Sequence, residues 1–397
     1  MATFSVDFLG CKVSQTDAQE IRERLVAGGH AEQDASAEVA VINTCCVTHE
    51  AVRKSRQAAR RAARHSARVY VTGCGARLAG AFEDLPANVV VVRKGSEATP
   101  SFIAGDVGAI GCVQADVGLD RVRAFVKVQD GCSFSCNFCV IPQVRGLSRS
   151  RPAEAVLSEI RRRVAQGHRE VVLTGINLGC YRDREARFDL TQLVRTAGAT
   201  PGLARLRLSS LEVNHLNERL LSAMRETTTV TPHLHVPLQS GDDGVLQAMG
   251  RRYSVATYLR RVGWAEGFNL TTDVIVGFPG EDDSAFENTV RAVEAAGITK
   301  VHVFPYSPRP GTVTQAEDSV PPAVKKARSA TLRARSAVAC RNRWRSKLGS
   351  EDVILIDRPG RGYGEDYSPW FVDGEVGSLV RARAAGISEE GIIGRAA

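Results

Sequence analysis

From residue 3 to residue 305 the chain alternates short, apolar, β-branched runs with stretches of helical period. That alternation restricts it to parallel sheets with helices packed on their faces. Candidate strands at 3–10, 38–44, 68–73 and 88–92 are separated by helical patterns at 18–28 and 51–67. A second series of strands falls at 124–128, 170–174, 205–209, 233–237, 272–276 and 300–305. Helical patterns at 152–166, 190–197, 216–225, 257–267 and 284–296 interleave with it. Six strands with intervening helices predict a partial or complete βα barrel, whose functional groups gather at the strand C-termini. Residues 96–120, rich in Gly, Ala and Asp, read as a linker, and 321–348 as one long basic helix. Short runs at 353–357, 370–373, 378–382 and 391–393 lie between Gly-rich turns and predict a small antiparallel barrel. The expected fold is therefore α/β. An N-terminal open parallel α/β domain covers 1–112, a central partial βα barrel 118–348, and a small C-terminal all-β barrel 349–397.

A chain of 397 residues has room for two or three cores, and its apolar fraction of 43% is that of a globular protein. Neither a run of about 18 apolar residues nor a basic-then-apolar leader is visible, so a cytoplasmic protein without a membrane partner is expected. Disulfides are disfavoured there, which turns the ten cysteines into candidate ligands or redox groups.

Cys132, Cys136 and Cys139 follow directly on a predicted strand, spaced four and three apart in Gly131-Cys132-Ser133-Phe134-Ser135-Cys136-Asn137-Phe138-Cys139. Three thiolates in a short loop can face one small iron–sulfur cube, which normally takes four ligands. One iron is then left open for an external ligand, as catalysis needs. Zinc lacks a fourth ligand here, because the next histidine, His168, lies beyond a whole helix. Cys11, Cys45 and Cys74 each follow a predicted strand of the first series. In a parallel sheet those strands end on one edge, so the three can converge on a second cluster. The bland alternative is that they are small core residues.

The net charge of +8 suits a polyanionic partner. Residues 320–350 carry Lys325, Lys326, Arg328, Arg333, Arg335, Arg341, Arg343, Arg345 and Lys347 without an acid. Residues 51–82 carry Arg53, Lys54, Arg56, Arg60, Arg61, Arg64, Arg68 and Arg77, again without one. Solvated faces normally mix signs, so both tracts are read as phosphate contacts. Aromatic residues are 6% of the chain, too few for a base-stacking platform. His233 and His235 are read as a core pair. Cys112, Cys180 and Cys340 have no partners at ligand spacing.

The central cysteine motif, with an aromatic before its third cysteine and a βα barrel around it, resembles the radical S-adenosylmethionine superfamily. Over nearly its whole length the chain resembles the methylthiotransferases, and most closely the branch acting on N6-threonylcarbamoyladenosine in tRNA. Matching stretches are Arg145-Gly146-Leu147-Ser148-Arg149-Ser150-Arg151, Leu173-Thr174-Gly175-Ile176-Asn177, Leu208-Ser209-Ser210-Leu211-Glu212, His233–Gly241 and His302–Ser307. Ser14 departs from that branch, which usually has Asn after Gly-Cys-Lys-Val. Cys46 stands where threonine is common, so two adjacent thiols compete for one ligand role, which the family pattern gives to Cys45.

The resemblance implies two 4Fe-4S clusters, one on Cys132, Cys136 and Cys139 and an auxiliary one on Cys11, Cys45 and Cys74. It implies S-adenosyl-L-methionine at the open iron, held from Phe138, Gly175, Asn177, Ser210, Glu212 and Gln239. A radical made there activates adenine C2, sulfur is inserted, and a second S-adenosylmethionine supplies the methyl group. The expected partners are a tRNA anticodon stem-loop and an electron donor such as flavodoxin or ferredoxin, with neither membrane nor DNA. RNA contacts are expected from Arg145, Arg149, Arg151, Arg341, Arg343 and Arg345, and from a TRAM-like C-terminal barrel. Three other readings stay open. Two keep the chemistry and change the substrate, to isopentenyl-modified adenosine in tRNA or an aspartate of a ribosomal protein. The third is a radical enzyme whose auxiliary cluster only relays electrons.

Overall fold

The computed structural model describes residues 1–33, 36–95, 98–108 and 122–396. Its described residues make two units by internal contact: Met1–Asp120 with Asp130–Arg149 and Ser307–Ala316, and Arg121–Gln129 with Ser150–Tyr306 and Glu317–Ala397. These cut across the three segments expected from sequence. The cysteine loop after residue 130 groups with the N-terminal sheet, and the C-terminal strands group with the βα barrel.

The first unit is a five-stranded parallel sheet of β1 (Thr3–Phe8), β2 (Ala31–Glu32), β3 (Val39–Thr44), β4 (Arg68–Gly73) and β5 (Val89–Val91), in the order β2-β1-β3-β4-β5. The two-residue period of its strands divides the core. Val39, Val41 and Tyr70 face α1 (Lys12–Ala27) and α3 (Thr99–Val107) through Ile21, Leu25 and Ile103. Ala40, Ile42, Val69 and Val71 face α2 (His49–Ala62) through Ala59. Helix α1 starts six residues before the apolar period does, because its first turns bury the polar Ser14, Thr16 and Asp17. Residues 99–107 are helical rather than linker, started by Pro100 in the first turn and held by buried Ile103. The rest of that expected linker, with Cys112, lies outside the described residues.

The second unit contains the parallel strands β6 (Arg123–Asp130, whose last residue belongs to the first unit), β8 (Glu170–Gly175) and β11 (Arg205–Leu208), edged by β7 (Arg149–Ser150). A small antiparallel pair, β9 (Arg182–Asp183) and β10 (Phe188–Asp189), lies in a loop. Strands β12 (His233–His235), β13 (Asn269–Val276) and β14 (Lys300–Pro305) continue the parallel order, joined to β11 by the Ser210–His235 bridge. Helices α5 (Ala153–Ala165), α6 (Leu190–Gly198), α7 (Glu218–Glu226), α8 (Asp243–Ala248), α9 (Val255–Gly263) and α10 (Asp283–Ala295) follow the strands, α4 (Ile141–Arg145) having preceded them. This is the partial βα barrel, around one continuous core from Ala124 to Leu332.

Helix α11 (Pro322–Ser346) leads into a closed barrel of β15 (Glu351–Arg358), β16 (Arg361–Tyr363), β17 (Pro369–Phe371), β18 (Leu379–Ile387) and β19 (Ile392–Ala396). Its centre is Trp370, fully buried among Ile354, Ile356, Ile392 and the helix residue Trp344. The small barrel is attached to the strand N-termini of the βα barrel. Buried Glu170, at the start of β8, pairs with Arg207 at 2.9 Å and Arg123 at 3.1 Å. Arg207 also donates to the carbonyls of Gly364 and Glu365, Arg205 to those of Tyr363 and Val353, and Asn269 to that of Asp366. The Arg123 guanidinium lies 4.5 Å over the Tyr363 ring. Among the described residues no helix is long and apolar enough to cross a membrane.

Candidate metal and cofactor site

In the first unit, β3 and β4 pair through Thr44 and Gly73, so the next residues, Cys45 and Cys74, leave the sheet at the same level. Cys11 caps the N-terminus of α1, three residues beyond the end of β1. Gly73 has a left-handed φ of 88°, and a Cβ on it would stand 2.0 Å from the Asn43 amide oxygen. Only glycine fits there, and it turns Cys74 out of the strand. Cys45 and Cys74 are buried, Cys11 is exposed. Burial pushes the Cys45 thiol up to about 11, with smaller upward contributions from the neighbouring Cys74 and Cys11.

Cys46, beside them, is wholly buried. It packs in one core cluster with Cys74. The neighbouring Cys46 and the Arg145 guanidinium draw the Cys74 thiol below its usual value against the effect of burial, and Cys46 is pushed up. Ser14, the departure from the family pattern, lies 3.8 Å from the Cys11 sulfur through its hydroxyl.

Arg145 is the cation of this region. Its Nε donates to Cys74 Sγ at 2.9 Å, Nη1 to both oxygens of Asp130 at 3.0 and 3.1 Å, and Nη2 to Asp17 at 2.7 Å. With 5% of its surface exposed, it is held inside the unit and does not face a phosphate backbone. The RNA contact expected of Arg145 is thus replaced by an internal role, because Asp17 and Asp130 converge on it in space. Sequence spacing carried no signal of this: Asp17 sits 128 residues from Arg145.

The loop of Cys132, Cys136 and Cys139 has no regular secondary structure, and all three thiols are half-exposed. Gly131, at φ 69°, packs against the Gly146–Leu147 backbone, where a Cβ would meet the Leu147 carbonyl at 2.2 Å. The Cys132 N–H then donates to the Gly146 carbonyl, and the Phe134 N–H points at the Cys132 sulfur at 3.4 Å. Amides directed at sulfur stabilise thiolates and suit an iron–sulfur ligand. Phe138 is half-buried in the same loop. Among the described residues no three His, Cys, Asp or Glu side chains converge closely enough for a single metal ion.

In the second unit the expected cofactor residues stand at strand C-termini. Asn177 is 5% exposed, its N–H is held by Gln129 at 2.8 Å, and its buried amide oxygen has no hydrogen-bond partner among the described residues. An unpaired buried acceptor is costly unless a ligand meets it. Gly175 ends β8, and Ser210 bridges to His235. Gln239 adopts a left-handed φ of 66°, a strained state for a non-glycine residue and one that gathers at ligand sites. Glu212 accepts from the Asn214 N–H at 2.8 Å and from Arg251 at 2.9 Å, so its carboxylate caps a turn and pairs with an arginine. His233 and His235 both engage Thr271, at 3.1 and 3.0 Å. Cys180 meets His215 at 3.3 Å, a pairing that no ligand spacing in the sequence announced.

Of the remaining arginines, Arg149 is exposed. Arg151 pairs with Glu159 at 2.6 Å, and Arg343 with Asp366 at 2.9 Å. Arg345 is exposed, and Arg341 half-exposed.

The Radical SAM superfamily model matches residues 126–293, and that of "Uncharacterized protein family UPF0004" matches residues 3–92. The chain is 34% identical to threonylcarbamoyladenosine tRNA methylthiotransferase MtaB of Thermotoga maritima, over 99% of this chain and 96% of that one. It is 34% identical to the protein of the same name from Bacillus subtilis, over 83% and 79%. It is also 32% identical to tRNA-2-methylthio-N(6)-dimethylallyladenosine synthase of Paracoccus denitrificans, over 94% and 92%. In fold it resembles the radical S-adenosylmethionine methyltransferase TsrM of Kitasatospora setae, with a TM-score of 0.55 at 14% identity over 79% of this chain and 77% of that one.

Proposed function

Because the chain belongs to the methylthiotransferase family of radical S-adenosylmethionine enzymes, we propose that it converts N6-threonylcarbamoyladenosine of tRNA to the 2-methylthio derivative. The observation that carries the reading is the pair of cysteine triads in one unit, one in a loop after β6 and one along the edge of the N-terminal sheet. Cys132, Cys136 and Cys139 would hold the cluster that binds S-adenosylmethionine, and Cys11, Cys45 and Cys74 a second one. Once bound, these groups supply a carbon radical able to activate adenine C2 and a sulfur to place there.

The chain's own residues orient and tune. In the second unit Gly175, Asn177, Ser210, Glu212 and Gln239 would hold the cofactor, Asn177 through its amide oxygen. Arg145 donates to the Cys74 sulfur at 2.9 Å, which favours the thiolate form that a cluster needs. Thr44 fixes the loop behind Cys74 by accepting from the Ala76 N–H at 3.1 Å. The substrate enters as an unstacked loop base of an anticodon stem-loop. Reduction falls to a flavodoxin- or ferredoxin-type donor in the cytoplasm.

A nucleoside profile of tRNA from cells lacking the protein tests substrate and reaction together. Loss of the methylthio form with accumulation of threonylcarbamoyladenosine is expected. Loss of methylthio-isopentenyladenosine instead would transfer the assignment to the substrate named in the Paracoccus relative.

A further inference from the structure

Two tracts are acid-free in sequence, and in space they differ. Along α11, Lys325 pairs with Asp318 and Arg328 with Glu281 and Asp283. Arg335 pairs with Glu294, Arg343 with Asp366, and Lys347 with Asp352 and Asp366. Carboxylates outside the tract pair with five of its nine cations. Helix α2 keeps its charge. Its ion pairs among the described residues are those of Glu50 with Arg53 and Lys54. Arg56, Arg61 and Arg64 have no ion-pair partner among the described residues.

The arginines of α2 share a face. Arg53, Arg56 and Arg60 on α2 and Arg64 in the turn just beyond it recur at three- and four-residue steps, and with Arg61 they line one open concavity of ≈ 740 Å³. From Arg53 to Arg60 the row runs roughly 11 Å at the helical rise. The opposite face is pinned to the sheet by buried Ser55 and Ala59. Like charges one turn apart repel, and a polyanion would relieve them. The helix begins at Thr48, three residues after Cys45, so the row leads away from the cysteine edge. No large apolar side chain is exposed along the helix itself, which disfavours a lipid surface.

We propose that this face of α2 is a phosphate track that grips the tRNA backbone beside the modified nucleotide. Guanidinium forks suit phosphate geometry, and a row of them follows one strand without reading bases. The inference rests on tRNA being the substrate and adds the surface that holds it.

The test is the salt dependence of binding between the holoenzyme and an unmodified tRNA transcript. For Arg56→Gln/Arg61→Gln/Arg64→Gln, the slope of log K against log salt should shrink by about 2 to 3, at roughly 0.7–0.9 per lost contact. Affinity at low salt should fall at least about tenfold. A charge-retaining Lys triple should hold the slope near that of the unchanged protein. Arg335→Gln/Arg343→Gln on α11, whose guanidiniums are already met by Glu294 and Asp366, should change it by less than about 1. Single Arg61→Gln and Arg64→Gln variants, each expected to lower the slope by just under about 1, repeat the measurement if the triple is unstable. An unchanged slope in the α2 variants, or an equal loss in the α11 variant, overturns the track while leaving the tRNA reading intact. Failure of the unsubstituted enzyme to bind the transcript overturns both.

Discussion

Arg145 shows how one residue can serve two neighbours at once. Its guanidinium neutralises Asp17 and Asp130 and supports the Cys74 thiolate, with 5% of the residue exposed. Arg145→Leu would leave two buried carboxylates facing each other, at a cost of about 3–5 kcal/mol measurable by urea denaturation. Adding Asp17→Asn in that background should recover part of the loss, and full additivity would show that the two do not interact. Glu170 is the corresponding hub of the second unit. Burial alone would raise its pKa, but Arg207, then Arg123 and Arg205, hold it below the usual 4.5. A carboxylate held low contributes stability that is present above its unfolded pKa and lost as pH falls through its folded one. Stability should therefore decline below about pH 4.5 in the intact protein. Glu170→Gln, weaker at neutral pH, should show a shallower acid limb when denaturation is followed from pH 6 to 3.

At the scale of elements, Cys45 and Cys74 follow the ends of parallel strands, which sequence could show because strand, turn and cysteine are all local. Each triad should hold its own cluster. Replacing Cys11, Cys45 and Cys74 with Ala should remove about half of the iron and sulfide of anaerobically prepared protein, as should replacing Cys132, Cys136 and Cys139. Retention of all the iron by the first variant would discard the second cluster. Other elements were hidden from sequence. Helix α3 lies in a Gly-, Ala- and Asp-rich stretch whose composition reads as loop, yet Ile103 is buried against the sheet. The basic period of α11 is plain in sequence, but its charges are met by Glu281, Glu294 and Asp366, whose nearness only packing creates.

At the scale of the molecule, the C-terminal barrel belongs to the second unit and is fastened to the strand N-termini by Glu170 and its arginines. Asn177 and Gln239 stand at the opposite ends of those strands. A β-strand of eight residues such as β6 spans roughly 25 Å, so an RNA touching both ends must cross about that distance. The chain by itself determined the parallel βα order, the small β-barrel and the two cysteine triads. Period, turn chemistry and ligand spacing act over a few residues and can be read along a line. Tertiary structure alone decided which cations stay unpaired, where Arg145 points, and that Cys46 leans on Cys74. Those outcomes depend on charges and thiols far apart in sequence meeting in a low-dielectric interior, where each partner sets the energy of the other.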